Sequence, residues 1–466
     1  MGERVVALEA RGASFDRALE AYRAARFVAC TRSLHGQDGL AERTLRARAL
    51  LRLDRSQEAA QALAAVPGPG ETSHQPRAVA LIVRATAAMR SRDFRAAEED
   101  FAAARIDVYS TPNPDLEGEF EYYCAILRWA QGDFVGGEAG ARQVLQIEGS
   151  PDGTVPDDPK AFVTPLSVTR ARAMMILAFE AAREGRFRAH VDLLLHALAE
   201  LDCGDWCDPY CEAVLLRDLA FGARELGLSS VATLARKRTA AMSWTPELAE
   251  QHAHVLRSLG WCAGLAGDHL SALRSLRLSA DLAPAPTWRL LALTERSYLA
   301  RALDQSILAE EELRLAQDLS RSIEWERTAG EESIGLLMLA YLTADRDPAA
   351  AQAWVARYDS LRENSSPLLF GRPDPRARAV ELFAKASVAE AEGTRSRAIA
   401  LARDALALWD RVGCTWRAAL AAMYLAEVTG NAEYFDYVER ESARYPRAWF
   451  ALRHERAKAR RLPLAT

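Results

Sequence analysis

Residues Leu259 to Pro284, LGWCAGLAGDHLSALRSLRLSADLAP, read as two short helices held together by small side chains at fixed offsets. Gly260 and Ala263 are small on the first helix, Gly267-Asp268 makes the turn, Ala272 falls where the second helix must come close, and Pro284 ends the unit. Larger side chains at such a crossing hold two backbones apart. A lone pair of this kind cannot bury its own apolar face and needs copies of itself to stack on. Whether copies exist therefore decides the fold.

The same order of small residue, turn and small residue recurs along the chain. It runs through Ala18, Arg26-Phe27 and Cys30, then Ala85, Asp93-Phe94 and Ala97, then Ala125, Gly132-Asp133-Phe134 and Gly137. Ala178, Gly185-Arg186-Phe187 and Ala197 repeat it, with His190 at the usual alanine, as do Ala220, Gly227 and Ala232. Beyond the opening stretch come Leu299, Asp304 and Leu308, then Leu339, Asp347 and Ala351, then Ala386, Gly393 and Ala398. The turn residues Phe94, Phe134, Phe187, Ser229, His269, Gln305, Pro348 and Arg395 lie 40, 53, 42, 40, 36, 43 and 47 residues apart. No stretch sustains the period-two alternation of a strand, whereas Ala398, Leu401, Ala402, Ala405, Leu406 and Leu408 recur at helical spacing. Thr245-Pro246-Glu247 and Asp208-Pro209 read as an N-cap followed by proline at the first helical position.

These offsets resemble the tetratricopeptide (TPR) repeat, whose strict period is about 34 residues. The longer, uneven spacing here marks a divergent array. The resemblance implies an all-α, right-handed superhelical solenoid of about ten divergent TPR-like helical pairs. Two long Pro-, Gly- and Asp-rich connections, 149–165 and 363–376, divide it into an N-terminal block 1–150, a central block 151–362 and a C-terminal block 363–466 ending in a basic helix.

Composition removes several classes of function. A formal charge of -5 over 466 residues gives no global field for nucleic acid or an anionic membrane. No stretch reaches the roughly 18 uncharged apolar residues of a membrane span. Charged residues in MGERVVALEARG and seven scattered cysteines argue against a signal peptide and a secreted disulfide framework. The expectation is a cytoplasmic protein with no membrane partner. Only Lys160, Lys237, Lys385 and Lys458 are lysines, so nearly all positive charge is arginine, the residue suited to forked contacts with carboxylates. Genome composition, given the equally heavy use of alanine, outweighs that functional explanation of the bias.

Near the end of the chain, Tyr445-Pro446-Arg447-Ala448-Trp449 through Arg453-His454-Glu455-Arg456-Ala457 resembles the segment preceding the DNA-binding helix-turn-helix in large LuxR-type bacterial regulators with TPR-like sensor regions. That resemblance implies the sensor or regulatory part of a transcription regulator. The sequence stops at Thr466, where a helix-turn-helix would begin, and holds no GxxxxGK[ST] nucleotide loop. A free-standing scaffold or adaptor in a multiprotein assembly is the alternative, and a coding frame continuing past Thr466 into a helix-turn-helix separates the two. Arg453, Arg456, Lys458, Arg460 and Arg461 make a short basic patch that complements a helix C-terminus. Without a reading helix it gives no sequence recognition, so no direct nucleic-acid binding by this chain alone is expected.

Candidate chemistry is sparse. Cys203, Cys207 and Cys211 in LDCGDWCDPYC, with His196 nearby, offer ligands for zinc, but their i, i+4, i+8 spacing departs from paired C-x₂₋₄-C knuckles. Inert cysteines beside a capped helix are the alternative. His252 and His254 point to different sides of a helix, and no G-x-S-x-G, H-E-x-x-H or phosphate loop occurs. The expectation is a non-enzymatic protein with no cofactor and no metal. In the TPR family the first helix of each pair faces the concave groove, and the corresponding positions here are Tyr122 and Trp129, then Arg172, Phe179 and Arg183, then Arg217, Phe221 and Arg224, then His254, Arg257 and Trp261. Leu293, Ser297, Leu336, Ala340 and Ser387 hold the equivalent places later on and lack that character. Arginines beside aromatics suit an acidic peptide, another carboxylate-bearing protein segment or a small effector. Solvated or mutually salt-bridged helix residues are the alternative.

Overall fold

The computed structural model of the chain describes residues 14–110, 112–149, 162–204, 206–325, 333–364, 375–451 and 454–455. Helices there follow one another in pairs joined by short turns, and no strand occurs among the described residues. The first four pairs are 14–23 (α1) with Phe27–Ser33 (α2), Leu40–Arg52 (α3) with Ser56–Ala62 (α4), His74–Arg90 (α5) with Phe94–Tyr109 (α6), and Pro114–Ala130 (α7) with Phe134–Gln146 (α8). Leu166–Arg183 (α9) is followed by Phe187–Asp202 (α10), Pro209–Leu226 (α11) by Ser229–Ala241 (α12), and Ala249–Leu265 (α13) by His269–Leu282 (α14). The last four pairs are Pro286–Ala302 (α15) with Ser306–Arg321 (α16), Ile334–Thr343 (α17) with Pro348–Asn364 (α18), Pro375–Ala391 (α19) with Arg395–Arg411 (α20), and Thr415–Thr429 (α21) with Ala432–Arg444 (α22). This is the all-α, TPR-like helical-pair fold expected from the repeats.

The turns explain the register. Gly132, Gly185, Gly227, Gly267 and Gly393 each take a positive φ just before the N-cap of a second helix, Ala25, Asp54, Arg92 and Asp304 do the same without a glycine, and Gly413 does so between two pairs, before α21. A left-handed residue reverses the chain, and glycine takes that conformation without steric cost. The next residue then caps the new helix. The carboxylates of Asp93, Asp133, Asp268 and Asp347 accept from the backbone N–H of Ala96, Gly136, Ser271 and Ala350 at 2.8 to 3.2 Å. Of the eight turn residues read from the sequence, all but Gln305 are the first residue of a second helix, and Gln305 is the N-cap of α16.

Small residues then set the approach within a pair. A Cβ added at Gly260 would lie 3.2 Å from the Ala272 carbonyl oxygen and 3.3 Å from the Ser275 Cβ, so α13 and α14 meet where the opening stretch requires it. At Gly140 an added Cβ would sit 2.8 Å from the Ala125 Cβ, the same economy between α7 and α8.

The chain forms two compact units. One comprises Met1–Ala178 with Leu193–Leu215 and Thr245–Leu248, and its core gathers Leu50, Ile82, Phe101 and Phe120 from α3, α5, α6 and α7. The other comprises Phe179–Asp192, Leu216–Trp244 and the chain from Ala249 onward, with a core built on Trp261, Leu290, Trp325, Leu336, Trp409, Trp416 and Trp449. Each fully buried side chain of this size contributes roughly 1.5–3 kcal/mol. The connections at which the sequence divides the array, 149–165 and 363–376, lie largely outside the described residues, as do Arg453, Arg456, Lys458, Arg460 and Arg461 of the basic end. Among the described residues no helix is long and apolar enough to cross a membrane.

Candidate functional site

Within the second unit, helices α11, α13, α15, α17, α19 and α21, the first helices of six successive pairs, line one cavity of about 70 Å³, and α20 adds Trp409. Each helix contributes one face. Phe221 and Arg224 are three apart on α11, Arg257 and Trp261 four apart on α13, and Trp288, Leu291, Glu295 and Tyr298 follow the 3, 4, 3 spacing of one stripe on α15.

Charge and aromatic area are unevenly spread around this space. Its lining includes the guanidiniums of Arg224, Arg257, Arg376 and Arg417 and, among the described residues, one carboxylate, Glu295. Behind them sits Glu225, fully buried. Its carboxylate accepts from Arg224 Nε at 2.9 Å and from Arg417 Nε and Nη2 at 3.1 and 3.3 Å, with Arg376 at 3.9 Å and the Cys414 thiol donating at 3.4 Å. Burial alone would raise the Glu225 carboxyl; the Arg417, Arg224 and Arg376 charges outweigh it and hold it well below the usual carboxylate range. Glu295 is held more loosely, 3.4 Å from Arg224 and 3.8 Å from Arg257, and its Oε2 has no hydrogen-bond partner among the described residues.

The guanidiniums also lie over rings: Arg224 and Arg376 over Phe221 at 5.1 and 4.7 Å, Arg257 over Trp288 at 5.4 Å, and Arg417 over Trp416 at 4.5 Å. A continuous aromatic wall runs away from that end. Trp416 stacks on Trp261 at 5.3 Å, Trp261 meets Tyr298 at 5.8 Å, Tyr298 meets Tyr341 at 5.6 Å, Tyr341 stacks on Phe383 at 5.7 Å, and Phe383 meets Trp409 at 5.3 Å. The Trp416 indole N–H donates to the Arg224 carbonyl at 2.8 Å. By contrast, the buried indole N–H groups of Trp261 and Trp409 have no partner among the described residues. An unpaired buried donor costs about 1–3 kcal/mol, so two in one cavity wall need an explanation. The arrangement is chemically equipped to hold an anion at one end and apolar matter at the other.

Four of the residues placed in the groove from sequence, Phe221, Arg224, Arg257 and Trp261, line this cavity. His254 stands beside them, its ring edge-on to Trp288 at 4.1 Å. Burial first, then the charges of Arg257, Arg217 and Arg224, push its imidazole well below the ordinary histidine range, so it is neutral at pH 7. Arg217 pairs with Asp218 at 2.7 Å, Arg183 with Glu180 at 2.9 Å, and Phe179 is half exposed. Tyr122, Trp129 and Arg172 belong to the first unit. There Tyr122 meets Tyr123 edge-on at 5.1 Å, Trp129 meets Phe134 at 5.7 Å, and buried Arg172 donates to Asp208 at 2.6 Å, sharing that carboxylate with Arg52 at 3.2 Å.

The sequence reading missed Trp288, Tyr298, Tyr341, Arg376, Phe383, Trp409, Trp416 and Arg417. It carried one family register into the later repeats and landed on Ser297, Leu336 and Ala340, which are buried between helices. Reading each helix for its own aromatic stripe, as the spacing on α15 allows, would have found Trp288 and Tyr298.

Of the cysteines considered for zinc, Cys211 is buried with its thiol pushed up to about 12 by burial, Cys207 donates to Glu212 at 3.3 Å, and Cys203 is exposed. Among the described residues no group of three or more His, Cys, Asp or Glu is arranged to hold a metal ion.

No family model and no curated protein matches the chain. Solved structures do. A Rap protein complexed with Competence and Sporulation Factor is similar at 13% identity and TM-score 0.42, covering 78% of this chain and 99% of that one. The apo quorum sensor NprR from B. thuringiensis is similar at 15% identity and TM-score 0.48, covering 79% and 97%, and a human IFIT1 dimer at 12% identity and TM-score 0.45, covering 94% and 93%.

Proposed function

We propose that the chain is a non-enzymatic, TPR-like interaction module of the cytoplasm, which recognises a carboxylate-bearing ligand, either a free effector or an acidic segment of a partner protein, in the cavity of its second unit. The observation that supports this most directly is the convergence of Arg224, Arg257, Arg376 and Arg417 with a continuous aromatic wall on one cavity. Guanidiniums match carboxylates as forks, and stacked rings fix the orientation of those forks. In the regulator reading carried by the Tyr445–Ala457 segment, occupancy of this cavity is the input of a LuxR-type transcription regulator.

The remaining groove positions take lesser parts in this reading. Arg217 and Arg183, half-buried and each beside an acidic neighbour, extend the basic character of α11 and α9. Arg257 is the residue to test, because Arg224 also secures Glu225. Thermal-shift measurements on wild type and Arg257→Gln, with acidic peptides, small carboxylates and their uncharged amides, check the proposal. The expected outcome is that carboxylates raise the melting temperature of wild type, that amides do not, and that the variant loses the shift. A panel in which no carboxylate outperforms its amide refutes it.

A further inference from the structure

Large apolar side chains stand in solvent on α14 and α16, two successive second helices of the second unit, and none of them lines the cavity. Leu270 and Leu278 on α14 and Ile307 and Leu315 on α16 are 44 to 79% exposed. In each helix the two lie eight residues apart, and no other described helix shows two exposed large apolar side chains at that spacing. Positions i, i+4 and i+8 share one face of a helix. The middle position is Arg274 on α14 and Glu311 on α16, so the stripes read Leu270, Arg274, Leu278 and Ile307, Glu311, Leu315. They match in everything but the sign of the charge.

Both central charges are uncommitted. Arg274 and Glu311 are exposed and form no ion pair among the described residues, whereas nearby Arg277 pairs with Asp281 at 3.1 Å and Glu310 with Arg346 at 2.7 Å. The two helices are also fixed side by side. Arg277 of α14 reaches Glu312 of α16 at 3.7 Å, and Arg296 of α15 donates to the Leu273 carbonyl of α14 and to Glu312. The short connections 283–285 and 303–305 make α14 and α16 both antiparallel to α15, and so parallel to each other.

We infer that this face docks on a second copy of the chain, about a two-fold axis running along the helices. That axis lays α14 over α16 of the partner subunit with both running the same way. Leu270 then meets Ile307 of the partner subunit, Arg274 meets Glu311 of the partner subunit, and Leu278 meets Leu315 of the partner subunit. Two-fold symmetry makes each contact twice. An axis across the helices would instead set Arg274 on Arg274 and Glu311 on Glu311, and like-charge contacts of that kind are strongly unfavourable. The next charges along, Asp281 and Asp318, are already paired within their helices, with Arg277 and Arg321 at 3.1 and 3.0 Å. A lipid surface fits less well, since it offers Glu311 no cation and apolar tails offer Arg274 no carboxylate. With 14 residues α14 is about 21 Å long, and two packed helices are about 20 Å wide, so each copy contributes roughly 400 Å². That is about half of the 800 Å² per partner of a standard stable interface, so the dimer is weak and reversible.

Sedimentation equilibrium of the full chain, from low micromolar to submillimolar concentration, tests the inference. A reversible monomer–dimer equilibrium is expected. Arg274→Glu and Glu311→Arg should each weaken it by about tenfold or more, with the melting temperature unchanged because both side chains are exposed. An equimolar mixture of the two variants should restore the dimer, since every like-charge contact of either homodimer becomes an Arg–Glu contact in the mixed one. Structural damage at either position could not be undone by mixing. A wild type that stays monomeric throughout, a dimer untouched by both variants, or variants that mixing does not rescue overturns the inference. Flotation of a monomeric wild type with phosphatidylcholine vesicles also overturns it, and assigns the face to a lipid surface.

Discussion

Glu225 is the residue whose loss should be felt most. It is fully buried and its carboxylate is shared by Arg224, Arg417 and Arg376, which come from α11, α21 and α19. Glu225→Gln preserves shape and removes the charge. Breaking a buried ion pair by neutralising one partner costs about 3–5 kcal/mol, because the remaining charge stays desolvated. The amide still accepts one hydrogen bond, and the guanidiniums keep their ring stacks, so the lower end, about 3 kcal/mol, is the expected loss for the second unit. For a unit of this size that corresponds to a fall in melting temperature of roughly 6–12 °C. Circular dichroism melts of wild type and variant read this directly. Glu310→Gln is the control, since Glu310 and Arg346 are paired at 2.7 Å but more than half exposed, and such pairs contribute about 0–1 kcal/mol. A pH series adds a second readout. Because the guanidiniums depress the Glu225 carboxyl, its stabilisation is complete above the usual carboxylate range and is lost only as the pH falls through that depressed value. Glu225→Gln should therefore lose stability at neutral pH and have less left to lose in acid. A loss below about 1 kcal/mol at pH 7 would show that the carboxylate is not what offsets the desolvation of these guanidiniums.

Gly267 has φ +86°, and an added Cβ would lie 2.6 Å from the Arg447 Cβ, whereas Gly393, at φ +76°, has nothing within 4 Å. Gly393→Ala should cost about 1–2 kcal/mol for the left-handed backbone alone and Gly267→Ala clearly more, so equal losses in urea melts would count against a tight seat for the 445–447 segment. His254 is neutral in the fold with its pKa pushed down, so the unfolded chain binds more protons below about pH 6.5, and stability should fall on acidification by at most about 1.4 kcal/mol per pH unit. His254→Phe should flatten that part of the stability–pH curve; an unchanged slope would assign it to other groups.

The turns were legible in the sequence and the cavity only partly so, for reasons of range. A left-handed Gly267 followed by Asp268 capping Ser271 is chemistry within four residues, and any local reading finds it. The cavity depends on contacts such as Glu225 with Arg417, 192 residues apart, which the spacing of one repeat does not encode. Glu225 itself reads in the sequence as one more charge on α11, next to an arginine, and neighbours at i, i+1 do not ordinarily face each other on a helix. Its burial comes from Arg376 and Arg417, which sit in the repeats that a uniform register describes as lacking arginine. A one-residue difference at a turn is enough to move such a reading to the next face. Gln305 is the N-cap of α16 and not its first residue, and counted back from it the groove position falls on Ser297 instead of Tyr298. In a divergent array the turn chemistry thus locates the helices, but each helix must be read for its own aromatic and basic stripe before a site can be assembled from it.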